Sequence, residues 1–113
     1  HMEKQGTGGQ IVFIGARPGM EPGAGKNMIA YALSKSLLFR LSEMINMAGK
    51  NHGITSAVVV PSTIDTPPNR KAMPDADHSN WVTPQAIADN IFHLVTPSGS
   101  VLRETVLKVY NNA

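Results

Sequence analysis

Tyr31-Ala32-Leu33-Ser34-Lys35 (YALSK) is the stretch of sequence that decides the fold. Residues four apart share one face of an α-helix, so a helix here places the phenol of Tyr31 beside the ammonium of Lys35. A nearby ammonium stabilises a phenolate, which makes the phenol a usable proton donor near neutral pH. The same spacing also occurs by chance on solvated helices, so the flanking sequence has to decide between the two interpretations.

The segments around this pentad read as strand, loop, helix and strand. Apolar residues recur at helical spacing through the pentad and beyond it, with Asn27 as the expected N-cap and Gly49 as the expected stop. Strand, helix and strand at this spacing predict a βαβ unit with parallel strands and a right-handed crossover. The predicted segments are a strand at Gln10–Gly15, a loop at Ala16–Asn27, a helix at Asn27–Ala48 and a strand at Ile54–Val60.

The rest of the chain predicts one more helix and one more strand. Thr83 is the expected N-cap of a helix over Pro84–Leu94, which has proline at its first position. Pro97-Ser98-Gly99 reads as a turn, and Glu104–Tyr110 reads as a last short strand. The predicted fold class is therefore α/β, with about three strands and flanking helices.

Three motifs in this order carry a family resemblance. The run Ile11–Gly15 (IVFIG), the YALSK pentad and Pro61–Pro67 (PSTIDTP) resemble the C-terminal half of the short-chain dehydrogenase/reductase family. Within that family, Asp65–Asp77 followed by Trp81 most resembles the quinoid dihydropteridine reductases. The resemblance implies the C-terminal half of a doubly wound parallel, Rossmann-like sheet.

The resemblance implies one partial NAD(P)-binding domain over residues 1–113, with residues 1–8 as a lead-in. Tyr31 would then give a proton to the substrate as hydride arrives from NADH or NADPH. Lys35 would support Tyr31 and hold the ribose hydroxyls of the cofactor. The resemblance also implies further contacts: with cofactor at Gly15, Pro61, Ile64 and Thr66, and with substrate at Ala16, Asn69 and Trp81.

The serine that completes the catalytic set in most of this family has no counterpart, because Ile14-Gly15-Ala16-Arg17 carries no hydroxyl. A serine steadies a developing alkoxide by hydrogen bonding. A conjugated quinonoid ring spreads its charge and needs less of that support. The gap therefore favours a quinonoid dihydropteridine-like substrate over a simple alcohol or ketone, and an enzyme that has lost its serine is the alternative.

The polar segment Asn69–Trp81 is expected to form a substrate lid, with a plain surface connection as the alternative. Asp65 is expected to cap the loop before it. His78 is expected to be exposed, and His93 to be structural. No second histidine or carboxylate completes a metal site around His93, so no metal is expected.

The adenine-binding half of a dinucleotide site is missing from the sequence. No GxxxGxG or GxGxxG occurs before the first predicted strand, and Gly6–Gly9 precedes a strand whereas a phosphate loop follows one. A chain of 113 residues is also roughly half of what a complete dinucleotide-binding sheet requires. We expect the chain alone to bind neither NADH nor NADPH tightly. His1-Met2 is typical of a cloning remnant, and both a removed upstream region and a genuine short frame fit the sequence.

A competing motif lies between the first strand and the helix. Gly19–Lys26 imitates a phosphate-binding P-loop, which requires GxxxxGK followed by Ser or Thr. Met20 stands where the first glycine of that motif belongs, and Asn27 stands where its hydroxyl belongs. Pro18 and Pro22 also remove two amide donors from such a cradle. The sequence therefore disfavours a nucleotide triphosphatase.

Composition and charge exclude or disfavour several classes of protein. The chain has no cysteine, which excludes disulfides, thiol chemistry and cysteine-ligated zinc and is typical of a cytoplasmic protein. Its net charge of +2 comes from scattered residues, without the basic cluster of a nucleic-acid-binding protein. No apolar run is long enough to indicate a membrane partner. The expected partner is a small-molecule substrate.

Self-association is the remaining expectation. The helix carries Met28, Met44 and Met47 and more apolar positions than one sheet face requires. The first strand would also leave an unpaired edge, which invites pairing with another chain. We therefore expect a homo-oligomer. Two functional classes stay open: a nicotinamide-dependent reductase, and a non-catalytic truncated fragment that only self-associates.

Overall fold

Three parallel strands form a single sheet in the computed structural model, which describes residues 1–112. Strand β1 spans Gly9–Ile14, β2 spans Ile54–Pro61 and β3 spans Thr105–Val109. The order is β1-β2-β3, so β2 lies in the centre and pairs with both neighbours. This arrangement confirms the predicted α/β class and the half of a Rossmann-like sheet.

Two long helices connect the strands. The first links β1 to β2, and the second lies between β2 and β3. Shorter helical segments occupy the loops that follow β1 and β2. The helices are α1 at Met2–Gln5, α2 at Pro22–Gly25, α3 at Ile29–Ala48, α4 at Pro67–Ala72 and α5 at Pro84–Val95, with single 3-10 turns at Arg17–Gly19, Lys50–His52, His78–Asn80 and Pro97–Gly99.

The central strand is buried on both faces. Val58 and Val59 are 0 % exposed, and neighbouring side chains on a strand point to opposite faces. Val59 packs in a cluster with Ile87 and Leu94 of α5, whereas Ser56 bonds to residues of α3. Burial on both sides explains why the β2 sequence is a nearly continuous apolar run rather than an alternating one.

A polar contact fixes the end of α3 to the central strand. The amide nitrogen of Asn46 donates to the Ser56 carbonyl at 2.9 Å, and its amide oxygen accepts from the Ser56 N–H at 2.9 Å. The Ser42 hydroxyl donates to the Ser56 hydroxyl at 2.8 Å. Strand β3 pairs with β2 only from Ala57 onward, so it does not reach Ser56. The Asn46 side chain instead makes the hydrogen bonds that a neighbouring strand would make with the Ser56 backbone.

The boundaries of α3 differ from the expectation. Asn27 is not the N-cap, because α3 begins at Ile29 with Met28 in the cap position and no side-chain cap. A turn closed by the Met28 N–H and the Gly25 carbonyl, 2.9 Å apart, takes up the residues just before α3. Gly49 ends the helix as predicted, although its φ of −83° is right-handed. The left-handed glycine that turns the chain into β2 is Gly53, with φ of 66°.

Other boundaries shift by one or a few residues. The Thr83 hydroxyl accepts from the Ala86 N–H at 3.1 Å and caps α5 as predicted. Strand β3 begins after Glu104, whose φ of 53° is outside the extended region. The expected lead-in contains the one-turn helix α1, and the expected loop at Ala16–Asn27 contains two helical turns.

Two surfaces remain uncovered within residues 1–112. Only β2 pairs with β1, so the other edge of β1 is open. Helix α3 also presents a row of exposed apolar side chains, which are Ile29, Leu33, Leu37, Leu41, Met44 and Met47. In the part of the chain that the structure describes, no helix combines the length and apolar character that crossing a membrane requires.

We predict that Asn46→Ala destabilises the fold by leaving the Ser56 N–H and carbonyl without partners. Each buried polar group left unsatisfied costs about 1–3 kcal/mol. The measurement is the free energy of unfolding in urea. Asn90→Ala is the matched control, because the Asn90 amide bonds only to Ala86 within its own helix. Equal losses in the two variants would contradict the role of Asn46 as a backbone partner.

Candidate active site

A cavity of about 660 Å³ lies at the carboxyl ends of β1 and β2. In open parallel sheets, ligands bind outside this edge of the strands. The cavity wall combines the loop after β1, the first turns of α3, the loop after β2 and part of α4. Its lining residues are Ile14, Gly15, Ala16, Arg17, Pro18, Ala24, Met28, Tyr31, Lys35, Pro61, Ser62, Thr63, Ile64, Asn69 and Met73.

Tyr31 and Lys35 lie on the same face of α3 and both line this cavity. The Lys35 ammonium is 5.9 Å from the centroid of the Tyr31 ring. It donates a hydrogen bond to the Ile14 carbonyl at 3.0 Å, which fixes the ammonium against the end of β1. An ammonium carries three N–H donors, so two remain for another partner. The pair thus offers a phenol next to a fixed positive charge.

Two glycines allow the close packing behind this pair. A Cβ on Gly19 would lie 2.9 Å from the backbone carbon and from the Cβ of Lys35, so only glycine fits where the 3-10 turn meets α3. A Cβ on Gly15 would lie 2.8 Å from the Cγ1 of Val58. Gly15 was expected near the cofactor and does line the cavity. Gly19 was not predicted, because a close approach of two backbones leaves no local sequence pattern.

The loop after β2 is held in shape by its own polar groups. The Thr66 hydroxyl accepts from the Asn69 N–H at 3.4 Å and caps α4. The Asn69 side chain donates to the Ile64 carbonyl at 2.8 Å. The Asp65 N–H donates to the Val82 carbonyl at 2.8 Å, which ties the loop to the segment before α5. These bonds fix the backbone of Ile64 at the cavity wall.

Asp65 does more than the loop capping that the sequence suggested. The Arg70 guanidinium donates to both of its carboxylate oxygens, with Nη2 at 2.9 Å from Oδ2. This hydrogen-bonded pair holds the pKa of the Asp65 carboxyl below its usual range, while partial burial opposes the shift. The same pairing raises the pKa of Arg70. The ion pair joins the loop after β2 to α4.

The structure brings most of the expected site residues together and leaves two outside the cavity wall. Thr66 and Trp81 do not line the cavity. Thr66 is used as a helix cap, and Trp81 packs on His78 with ring centroids 4.3 Å apart. His78 was expected to be exposed and is half-buried, with Nε2 2.9 Å from the Met73 carbonyl.

Several lining residues were not anticipated. Arg17, Ser62 and Thr63 bring polar groups to the cavity, and Met28 brings a flexible apolar one, whereas Met73 belongs to the segment that was expected to form a lid. Position alone could have indicated Ser62 and Thr63, because they follow Pro61 directly at the carboxyl end of a parallel strand. Within residues 1–112, no group of three or more His, Cys, Asp or Glu side chains is placed to hold a metal ion.

We predict that Arg70→Gln raises the pKa of the Asp65 carboxyl toward its usual range, measured by NMR of the carboxyl carbon. Because the pKa of Asp65 is lowered in the folded state, its stabilisation is present above the unfolded pKa and is lost as pH falls through the folded value. The stability difference between wild type and Arg70→Gln should therefore shrink in acid.

Asp77 is the internal control for this titration. Its pKa is lowered by hydrogen bonds from Ser79, so it should titrate identically in both proteins. Arg103→Gln is the control variant, since in the described part of the chain Arg103 donates to the Ser100 and Leu102 carbonyls rather than to a carboxylate. An unchanged Asp65 titration in Arg70→Gln would show that the ion pair is absent in solution.

Comparison with known proteins finds similar proteins, and those described below are longer than this chain. No family model matches the chain. A dihydropteridine reductase of Dictyostelium discoideum is 34% identical over 97 residues, which are 82% of this chain and 40% of that protein. The chain therefore spans less than half the length of the curated relative that it matches.

Solved structures show the same fold. A putative NAD(P)-dependent gluconate 5-dehydrogenase from Beutenbergia cavernae with bound NADP has a TM-score of 0.81 over 98% of this chain and 47% of its own, at 21% identity. A blue fluorescent protein from a metagenomic library, in complex with NADPH, has a TM-score of 0.73 over 90% of this chain and 44% of its own, at 25% identity. By sequence and by fold, the chain belongs with the short-chain dehydrogenases/reductases and is similar to dihydropteridine reductase.

Proposed function

We propose that this chain contributes the proton-donor half of an NAD(P)H-dependent oxidoreductase that reduces a quinonoid dihydropteridine-like substrate. The observation that carries the proposal is the placement of Tyr31 and Lys35 in one cavity, with Ala16 where the family resemblance calls for a serine. The similarity to a dihydropteridine reductase supports the same substrate class.

The residues of the cavity fit the nicotinamide half of NADH or NADPH. Lys35 keeps two N–H donors free after its bond to Ile14, and these suit the hydroxyls of a ribose. Gly15, Pro61 and Ile64 line the adjoining wall, where backbone groups can orient a carboxamide. When bound, a reduced nicotinamide supplies a hydride. The residues before β1 contain neither GxxxGxG nor GxGxxG, the glycine-rich patterns of a phosphate loop that would hold the adenine half.

Tyr31 supplies the proton in this proposal. As the substrate gains a hydride, the phenolic O–H bond breaks and the proton passes to a ring nitrogen. The resulting phenolate is stabilised by the Lys35 ammonium, which the Ile14 carbonyl keeps in place. Proton donation by a positioned side chain typically accelerates a reaction by about 10²–10⁴-fold.

The absence of a hydroxyl at Ala16 supports the choice of substrate. Ala16 is buried in the cavity wall, and Ile14, Met28 and Met73 make much of the remaining lining apolar. Position 16 therefore has no hydroxyl that could hydrogen-bond to an isolated alkoxide. A conjugated ring distributes its charge and also packs well against flexible methionine side chains.

A second candidate function is self-association without catalysis. The exposed apolar row on α3 and the open edge of β1 favour it. Monomers rarely leave large contiguous apolar patches in water, and a two-fold dimer is the commonest way of covering such surfaces. We propose a homo-oligomer in either case, so oligomer formation alone does not separate the two functions.

We predict that Tyr31→Phe lowers turnover of a quinonoid dihydropterin by roughly 10²–10⁴-fold, because the proton donor is lost while the ring remains. The assay follows oxidation of NADH or NADPH by absorbance. Tyr110→Phe is the matched control, since Tyr110 is the second of the two tyrosines and, within residues 1–112, its hydroxyl donates to the Met20 sulfur at 3.9 Å. Full turnover in Tyr31→Phe would mean that the proton comes from another group.

We also predict that the chain sediments at micromolar concentration as a species heavier than 12.1 kDa. Leu37→Lys should shift it toward the single chain, because Leu37 is 68% exposed in the apolar row of α3. Phe92→Lys is the control, since Phe92 is 69% exposed on α5 instead. A folded wild type that sediments as a single chain would refute the association.

A further inference from the structure

Arg17 lines the same cavity as Tyr31 and Lys35, and the proposed proton transfer gives it no role. It directly follows Ala16 and begins the 3-10 turn that packs against α3. Its side chain is 36% exposed, compared with 72% for Arg40, which makes a similar ion pair on the solvent side of α3. A partly buried cation that lines a ligand-sized cavity is placed where it can contact a bound ligand.

The guanidinium of Arg17 is fixed from two directions. Its Nε donates to the Glu21 carboxylate at 2.9 Å. Its central carbon lies 4.6 Å from the centroid of the Tyr110 ring, a distance at which the ring face attracts a cation. The Nε edge and one face of the guanidinium therefore already have partners. These two contacts restrict the directions in which the terminal N–H groups can point.

Tyr110 is itself well anchored. The Ser62 hydroxyl donates to the Tyr110 carbonyl at 3.2 Å, which ties the end of β3 to the loop after β2. The Tyr110 hydroxyl lies 3.9 Å from the sulfur of Met20, which is three residues after Arg17. Burial and the nearby Glu21 raise the pKa of Tyr110, so the ring under the guanidinium remains a neutral phenol at physiological pH.

The unused donors of Arg17 define what it can recognise. A guanidinium has five N–H groups, four of them on the two terminal nitrogens. Within residues 1–112, the hydrogen bonds of Arg17 run only from Nε. Two terminal nitrogens in one plane suit a planar acceptor such as a ring carbonyl. Because Glu21 already offsets the charge, an anionic acceptor would meet carboxylate repulsion and a neutral one would not.

We propose that Arg17 is a substrate-recognition residue, whose terminal N–H groups donate to a carbonyl oxygen on a neutral conjugated ring bound in the cavity. The inference rests on the proposed function, which places such a ring beside Tyr31. It adds a specificity requirement: the substrate carries an oxo group as an acceptor in addition to the atom that receives the proton.

The test compares two ring ligands that differ in the oxo group. Isothermal titration at pH 7 measures the Kd of 2-amino-4-oxopteridine and of 2-aminopteridine, which lacks the carbonyl. We expect Arg17→Met to weaken binding of the oxo compound by roughly 10–100-fold, the worth of a hydrogen bond from a charged group, and to leave 2-aminopteridine unchanged. Arg17→Lys should restore only part of the affinity, because an ammonium lacks the planar fork.

Arg40→Met is the matched control, since it removes an arginine paired with a glutamate outside the cavity, and it should change neither Kd. Tyr110→Leu provides a second variant, which keeps Arg17 but removes the ring beneath it, and should weaken the oxo compound selectively. Circular dichroism confirms that the compared proteins are folded. Equal loss for both ligands, an unchanged Kd in Arg17→Met, or no binding of the oxo compound by wild type would overturn the proposal.

Ligand binding can be measured without turnover. The proposed reductase activity and the proposed role of Arg17 can therefore be contradicted independently of each other. A wild type that binds the oxo compound through Arg17 but reduces no quinonoid dihydropterin would contradict the proposed reductase and leave the role of Arg17 intact. A wild type that reduces the substrate while Arg17→Met keeps the same preference for the oxo ligand would sustain the reductase and overturn the role of Arg17.

Discussion

The attachment of α3 to the sheet is the constraint on which the site depends. The helix is tied down at two places: Lys35 donates to the Ile14 carbonyl at the end of β1, and Asn46 bonds both backbone groups of Ser56 in β2. Two fixed points on one helix set its rotation as well as its position. The phenol of Tyr31 therefore faces the cavity because of bonds made one turn and four turns further along the helix. Lys35 is both a structural tie and the charge beside the phenol.

Much of the fold follows from patterns that the sequence displays locally. A buried central strand needs an apolar run such as the one in β2, and a threonine followed by proline starts a helix as Thr83 does. The expectation for Asn27 failed for a physical reason. A residue can cap a helix only if the chain enters the helix there, and the Gly25 carbonyl already bonds to Met28 in a preceding turn. Such competition between adjacent turns depends on tertiary packing, which residue preferences do not report.

The site was predictable in part for the same reason. Motifs that follow parallel strands must meet at one edge of the sheet, so the convergence of the pentad with Pro61 and Ile64 followed once both strands were recognised. Thr66 and Trp81 are different, because their side chains are satisfied by a helix end and by His78. Arg17 was missed because one of its two partners is Tyr110, almost at the other end of the chain. A sequence shows which side chain stands at each position, whereas the residues that contact it depend on which strands lie side by side in the fold.

The cations around the cavity differ in whether a carboxylate offsets their charge. Arg17 is paired with Glu21, and Arg70 is paired with Asp65, so each of these cations is offset by a carboxylate. Lys35 differs, because its partner within residues 1–112 is the neutral Ile14 carbonyl. The uncompensated positive charge at the cavity thus lies beside Tyr31, where negative charge would develop in the proton transfer that we propose. A fixed charge in that place stabilises the phenolate without any rearrangement at the moment of transfer. In the role that we propose for Arg17, its pairing with Glu21 would let it orient a neutral ring without competing with Lys35 for the developing charge.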